Sequence, residues 1–466
     1  MKAWERASNL YKNAKPRILE EEDQTWEILK EVSKFYDQLI GLDWKSNVPG
    51  SGAPEMIMVA AVQAMENRGY KVSGSQSLLD EGISAYEGKD FVKLHQISAS
   101  LRKKLLEATK DEASPYWDYK IYNSFEEYEK NVDFEKETII DVNSKSFKEK
   151  IYAAWLSQLV GAAMGTQIEG YTRINLKEAF GEVNKYLREP NTYNDDITFE
   201  LAFLEAFIEK GYLVDSTDIA LKWVGLVPTG WSAEEFALRN IKMGIFPPKS
   251  GSWNNPFNEW IGAQMRGAIC GMLAPGNPRM AARLAWVDAE VSHAGNGILG
   301  EVFNALMVSM AFENGDIKDI LYKSIELIPK DTEYRTVIDF AILSCINHDN
   351  WEEALEKCEE KYIKYNWIHA YPNACAEVIA LYFGEGNFEK TMQIISRAGI
   401  DVDCNAAQIL SIIGIQKGID SIPDRLIHKN FEKIITYMRD YKEMTLEELV
   451  EKTVEAVKKA AKKKED

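Results

Sequence analysis

The sequence predicts an all-α protein, and three observations carry that expectation. Apolar residues recur at helical spacing along nearly the whole chain, while runs with strand-like alternation are scarce. Short stretches of Gly, Pro and Asn punctuate the periodic segments, as loops between helices do. The chain has 466 residues, 45% of them hydrophobic and 27% charged. That suffices to bury a large core without disulfide or zinc staples, and the length suits two or three domains.

In chain order, residues 1–40 read as helix, with Trp26, Ile28, Leu29, Val32 and Phe35 as an apolar stripe. A Gly/Pro/Ser loop spans 47–54, and helices follow over 55–67, 77–86 and 91–108. Residues 116–134 are aromatic and acidic, holding Trp117, Tyr119, Tyr122, Phe125 and Tyr128. Aromatics at that density pack on something, so this stretch reads as a docked connector. A domain boundary is expected near 135–148. It leaves a smaller accessory helical domain over 1–140 and a larger catalytic domain over 148–440. Residues 150–166 form a helix rich in small residues, among them Ala153, Ala154, Gly161, Ala162, Ala163 and Gly165. Residues 441–466 read as an amphipathic tail helix at the surface. Thr445 and Glu448 form its capping box, and its lysine-rich end complements the helix dipole.

Charge and composition exclude several function classes. The net charge of −18 argues against nucleic-acid binding, which needs cations to displace counterions. No apolar run approaches the roughly 20 residues of a bilayer span. The polar start at 1–16 has no signal core. The five cysteines form no CxxC pair and read as free thiols in a reducing compartment. A cytoplasmic protein is expected, with its oligomeric state left open. GxxxxGK[ST], GxSxG and HExxH signatures are all absent.

Two carboxylate clusters remain. Asn194, Asp195 and Asp196 precede a helix whose Ile197, Leu201, Leu204 and Ile208 share one face. Asp401, Asp403 and Cys404 open a second helix, rich in Ala and Ile. Acidic residues at helix starts commonly just cap the helix and complement its dipole. Together, four carboxylates from two helix starts can also hold a pair of hard divalent cations, which want several oxygen ligands. That requires the two clusters to meet in space.

The motifs between and around these clusters resemble the ADP-ribosylglycohydrolase family over about 150–425. Gly161-Ala-Ala-Met-Gly165-Thr-Gln-Ile-Glu169-Gly170 is similar to its opening motif, and Asn194-Asp195-Asp196 to its first metal motif. Gly262-Ala-Gln-Met-Arg266 and Asp288–Gly297, which includes His293, continue the match. Asn387-Phe388-Glu389 and Ala398–Asn405 resemble the second metal motif. The resemblance implies a compact all-α fold with two Mg²⁺ or Mn²⁺ ions in a cleft. It implies hydrolysis of the C1″ bond of an ADP-ribosyl or related ribosyl or nucleoside substrate. Asn194, Asp195, Asp196, Asp401, Asp403 and Cys404 would then surround the metals. Glu169 would act as general acid/base or orient water, with Asp403 beside it. Gly165 and Gly170 would free the Glu169 loop to move. Gly165, Arg266, His293 and Trp253 are candidates for substrate contact; the last three also have a plain structural reading, as ion-pair partner, helix-end residue and packing ring. Departures from the family are Asn194 and Cys404, where Thr is usual, Ala162 for an acidic residue, and a Pro247–Asn255 loop in place of Gly-Asn-Gly. The rival readings are a metal-dependent nucleotide pyrophosphohydrolase and a non-catalytic member that binds ligand or serves structure.

Overall fold

The computed structural model of the protein describes residues 1–313, 315–441 and 443–465, the side chains of 463–465 excepted. It is all-α. The N-terminal region comprises α1 (Ala3–Lys12), α2 (Trp26–Trp44), α3 (Ile57–Asn67), α4 (Ser75–Glu87), α5 (Phe91–Leu106) and the short α6 (Phe125–Glu129). The main body begins with α7 (Lys145–Gly165), α8 (Arg173–Phe180), α9 (Asp195–Lys210), α10 (Ser216–Leu226) and α11 (Ser232–Lys242). It continues through α12 (Lys249–Ser252), α13 (Gly267–Leu273), α14 (Pro278–Ala289), α15 (Asn296–Met310), α16 (Ile317–Glu326) and α17 (Glu333–Asn347). The last helices are α18 (Trp351–Tyr362), α19 (Ala370–Gly384), α20 (Phe388–Ala398), α21 (Val402–Lys417) and α22 (Leu446–Glu465). Sheet among the described residues is confined to two antiparallel hairpins, β1 (Ser46–Asn47) with β2 (Pro54–Glu55), and β3 (Lys433–Ile435) with β4 (Glu443–Thr445). No helix of the described residues is long and apolar enough to cross a membrane.

The centre of the body is the pair α7 and α21, each buried along almost its whole length. Small residues set how closely they approach. A Cβ on Gly161 would press on the backbone of Ala406 and Ala407, one on Gly165 would overlap the Asp403 backbone, and one on Gly414 would strike Ser157. Helices that touch backbone to backbone fix the height of their ends against each other. The C-terminal end of α7 therefore meets the N-terminal end of α21, and the functional residues sit at that junction.

The tail is an amphipathic helix with Glu447, Glu448, Glu451, Glu455 and Lys459 exposed, and its apolar face is docked on α7. Leu449, Val450, Thr453, Val454 and Val457 are buried, and Trp155 of α7 donates its indole N–H to Thr453 Oγ1 at 3.0 Å. The capping box does form, with Glu448 N donating to Thr445 Oγ1 at 3.1 Å and Thr445 N to Glu448 Oε2 at 2.7 Å. The lysine-rich end falls partly outside the described side chains.

The N-terminal region differs from one long helix. The chain breaks after α1 at Asn13 and passes Pro16 before α2. The stripe of Trp26, Ile28, Leu29, Val32 and Phe35 is exposed; only Ile40, Gly41 and Trp44 of α2 are buried. Trp44 anchors the helix, donating to Ser98 Oγ on α5 at 2.7 Å. The aromatic connector docks as expected. Tyr116 OH donates to Glu259 at 2.8 Å, Tyr128 OH to the Leu327 carbonyl at 2.9 Å, and Tyr128 stacks on Trp286 with ring centroids 5.6 Å apart.

Candidate metal centre

Two helix starts converge. Asn194 caps α9, its Oδ1 accepting from Ile197 N at 3.2 Å. Its Nδ2 donates to Asp403 Oδ2 on α21 at 3.2 Å. Both ends of the Asn194 side-chain amide are thus engaged, so this side chain orients Asp403, while the backbone carbonyl of Asn194 accepts from the Thr198 hydroxyl at 2.7 Å. A second tie joins the clusters where Cys404 Sγ donates to Asp196 Oδ1 at 3.2 Å. The candidate ligand atoms of Asp401, Asp403 and Cys404 all lie within 4.8 Å of one another.

Asp401 is placed from behind. Its backbone N–H donates to Asn373 Oδ1 at 3.3 Å, and Asn405 donates to the same oxygen at 2.7 Å. Asn373 is held in turn by the carbonyls of Trp367 and His369. The preceding residue, Ile400, has φ +60, an uncommon left-handed conformation for a β-branched side chain. Two backbone bonds stabilise it: Ile400 N donates to the Tyr171 carbonyl and Gly170 N to the Ile400 carbonyl, each at 2.8 Å. These same bonds stitch the loop that carries Glu169 to the segment that carries Asp401.

Electrostatics match this crowding. Asp196, Asp401 and Asp403 are buried, and Asp196 Oδ2, Asp401 Oδ1 and Asp403 Oδ1 have no hydrogen-bond partner. Withdrawal from water, then the neighbouring Asp403, pushes Asp195 up to about 6. Asp196 and Asp401 rise well above the usual carboxylate range for the same two reasons. Glu169 rises likewise, by burial first and then by Asp403, Asp401 and Asp195. Burial raises Asp403 as well. Mutually repelling buried carboxylates with unpartnered oxygens are a donor set that suits hard divalent cations. The Cys404 thiol is also pushed up, by burial and then by Asp196 and Asp401. It acts here as a hydrogen-bond donor to the Asp196 carboxylate.

A cleft of about 540 Å³ opens over this centre. Glu169, Asn194, Asp195, Asp401, Asp403 and Cys404 all line it. The four residues expected at the substrate do not. Arg266 is fully buried and bound by Asp288, by Glu234 at 2.9 Å and by Ser292 Oγ at 3.0 Å. This makes it an internal ion-pair hub and not a phosphate clamp. His293 is buried beside it, with Nδ1 2.7 Å from Ser292 Oγ, and burial and Arg266 depress its pKa. Trp253 lies half-buried away from the cleft, its carbonyl accepting from Asn240 at 2.8 Å. Gly165 is a packing glycine under Asp403 and does not line the cleft. Conversely, the cleft walls include residues that sequence reasoning passed over: Gly50 and Glu55 from the N-terminal region, and Trp231, Glu234, Trp367 and Tyr437. Nothing in the sequence marked Gly50 or Glu55, because their role comes from docking of the N-terminal region onto the body. A larger cavity of about 840 Å³ runs between the connector and α16, and its walls mix acids with Lys136, Lys323 and Lys330.

The likeness to known proteins covers this same body. The sequence model of a family described as ADP-ribosylglycohydrolase matches residues 143–462. An uncharacterised protein of Archaeoglobus fulgidus is 26% identical over 293 residues, covering 60% of this chain and 90% of the relative. A solved structure described as an ADP-ribosylglycohydrolase-related protein complex aligns with a TM-score of 0.50 and 20% identity. That alignment covers 68% of this chain and 99% of the other, and it speaks to the fold alone. With the family match spanning well over half of the sequence, this chain belongs to the ADP-ribosylglycohydrolase family.

Proposed function

We propose that the protein is a metal-dependent hydrolase that cleaves the C1″ bond of an ADP-ribosyl or related ribosyl or nucleoside substrate. The observation that carries this reading is the meeting of Asp195 with Asp401 and Asp403 at the floor of one cleft, with Glu169 on its wall and Asp196 buried directly behind, tied to Cys404. Those four aspartates would hold two divalent cations, Mg²⁺ or Mn²⁺. Bound there, the cations would supply positive charge to grip ribosyl hydroxyls and to stabilise charge near the anomeric centre.

The chain's own residues divide the remaining work. Asn194 and Asn373 set the directions of Asp403 and Asp401. Glu169 holds a proton more tightly than an ordinary carboxylic acid does. Such a group can hand the proton to the departing atom as the C1″ bond breaks, or take one from the attacking water. Family membership supports hydrolase chemistry, and the retention of every acidic residue of the two metal motifs favours an active enzyme over a binding-only member.

The test is a metal-dependence assay. Wild type and Asp403→Ala are incubated with ADP-ribosylated arginine, ADP-ribosylated serine, O-acetyl-ADP-ribose and a nucleoside panel, each with Mg²⁺, Mn²⁺ or EDTA. Metal-dependent release of a free ribosyl product, lost in the variant, is expected. Release of phosphate without free ribosyl product would move the reading to a pyrophosphohydrolase, and turnover undiminished in EDTA would overturn the metal assignment.

A further inference from the structure

Glu55 is a buried carboxylate that the metal centre does not use. It closes the β1–β2 hairpin, paired with Ser46, and lies outside residues 143–462 that match the family. It nevertheless lines the same cleft as Glu169 and Asp403. Only 6% of it is exposed. Trp231, in the loop before α11, donates its indole N–H to Glu55 Oε2 at 2.9 Å. Oε1 is buried without a hydrogen-bond partner among the described residues. A buried carboxyl oxygen with no donor is costly, and an apolar side chain would fill the same space at less cost. Burial also pushes this carboxyl up to about 7, against the opposing pull of the Trp231 bond.

The surroundings indicate what would complete it. Apart from Arg188, every charged residue on the cleft walls is acidic. Away from Arg188 and from bound cations, such walls disfavour a phosphate. They accept hydroxyl and amino donors. Trp231, Trp367 and Tyr437 add ring surfaces of the kind that pack on a sugar or a base.

We propose that Glu55, oriented by Trp231, is a substrate-binding residue that accepts a hydrogen bond from an uncharged donor on a nucleoside, either a sugar hydroxyl or a base amino group. The N-terminal region thereby takes part in selecting the substrate. This rests on the reading of the cleft as a ribosyl-hydrolase site.

The experiment is calorimetric binding to the full-length protein in Mn²⁺, with adenosine, inosine and ADP-ribose as probes. Wild type is compared with Glu55→Leu and with Trp231→Phe, and hydrolysis of the probes is followed in parallel. Glu55→Leu is expected to weaken adenosine by about tenfold or more, the loss of one hydrogen bond to a charged acceptor, with Mn²⁺ affinity unchanged. Trp231→Phe should weaken it severalfold. Equal losses for adenosine and inosine assign the donor to the ribose; a loss for adenosine alone assigns it to the base amino group. Wild-type affinity in Glu55→Leu overturns the proposal, as does a matching loss of Mn²⁺ affinity. If Glu55→Leu does not fold, unchanged affinity in Trp231→Phe overturns it. A wild type that binds none of the probes overturns the substrate class and the proposal together. Binding without hydrolysis leaves Glu55 in its role and removes only the free nucleosides as substrates, the ADP-ribosyl conjugates being decided by the metal-dependence assay.

Discussion

Asp195 stands at the edge of the buried carboxylates, half-buried, and is pushed up to about 6 from its ordinary 3.8. A raised acid is penalised when it ionises in the folded state. Below about pH 4 it is protonated whether folded or unfolded, so the penalty is absent. The penalty grows as pH rises from about 4 to about 6 and is fully present above that. In metal-free protein, Asp195→Asn should therefore raise the melting temperature at pH 8, by about 1–3 °C, with a small part of that gain at pH 4, near the ordinary 3.8. A gain of equal size at both pH values, read by calorimetry in EDTA, would contradict the assignment. Gly50 makes the opposite kind of statement. A Cβ there would overlap the Thr166 carbonyl and stand 2.8 Å from Glu169 Oε1. Gly50→Val should shift Glu169 and lower kcat about tenfold or more while Mn²⁺ affinity holds, because small misplacements of a reacting group are expensive. Steady-state kinetics beside calorimetry checks it. Single residues were the least legible level of the sequence. By its sequence Arg266 is compatible with an ion-pair partner and with a substrate contact, and Asp288, Glu234 and Glu301 around it decide for the buried hub.

Among elements, the α7–α21 pair decides whether the site exists. Glycines at 161, 165 and 414 bring the two helices within backbone contact. A larger side chain forces them apart and separates Glu169 from Asp403. Gly161→Leu should cost about 2–3 kcal/mol of stability by overpacking, and should weaken Mn²⁺ binding in whatever fraction folds. Denaturant unfolding with and without Mn²⁺ checks both; an unaltered metal affinity would mean that the metal residues tolerate the spread. The small-residue run at 150–166 was plain in the sequence, and so were the helices opened by Asn194 and Asp401, because helical periodicity and cap residues are local signals. The placement of α22 was not. Its stripe of Leu449, Val450, Val454 and Val457 predicts one buried face without naming what covers it, and the Trp155–Thr453 bond supplies the partner from 298 residues away. The exposed stripe on α2 is the converse case, a periodic apolar face that the described residues leave uncovered.

Across the whole molecule, the body supplies the acids and the N-terminal region helps to wall them in. The five acidic residues of the centre could be named from motif order alone, whereas the hairpin that brings Gly50 and Glu55 to the cleft had no sequence signature. It depends on docking contacts such as Gln63 to the Lys364 carbonyl at 2.8 Å and Trp231 to Glu55 at 2.9 Å. The consequence is a chain of net charge −18 with its most crowded negative charge buried at the floor of one cleft. Divalent cations should therefore stabilise the folded protein by mass action, by about 2.7 kcal/mol at a hundredfold excess over the dissociation constant. The pH dependence follows from the upward shifts. Asp195, Asp196, Asp401 and Asp403 all hold protons more tightly in the metal-free fold. Those protons must leave when cations bind, so binding strengthens as pH rises and weakens as pH falls through about 6. The rise in melting temperature on adding Mn²⁺ should be large at pH 8 and small at pH 5, with protons released into weakly buffered solution at pH 6. Asp403→Ala should abolish both the thermal shift and the proton release. A thermal shift that is the same at pH 5 and pH 8 would mean that the cation binds elsewhere on the acidic surface, where exposed carboxylates are already ionised at both.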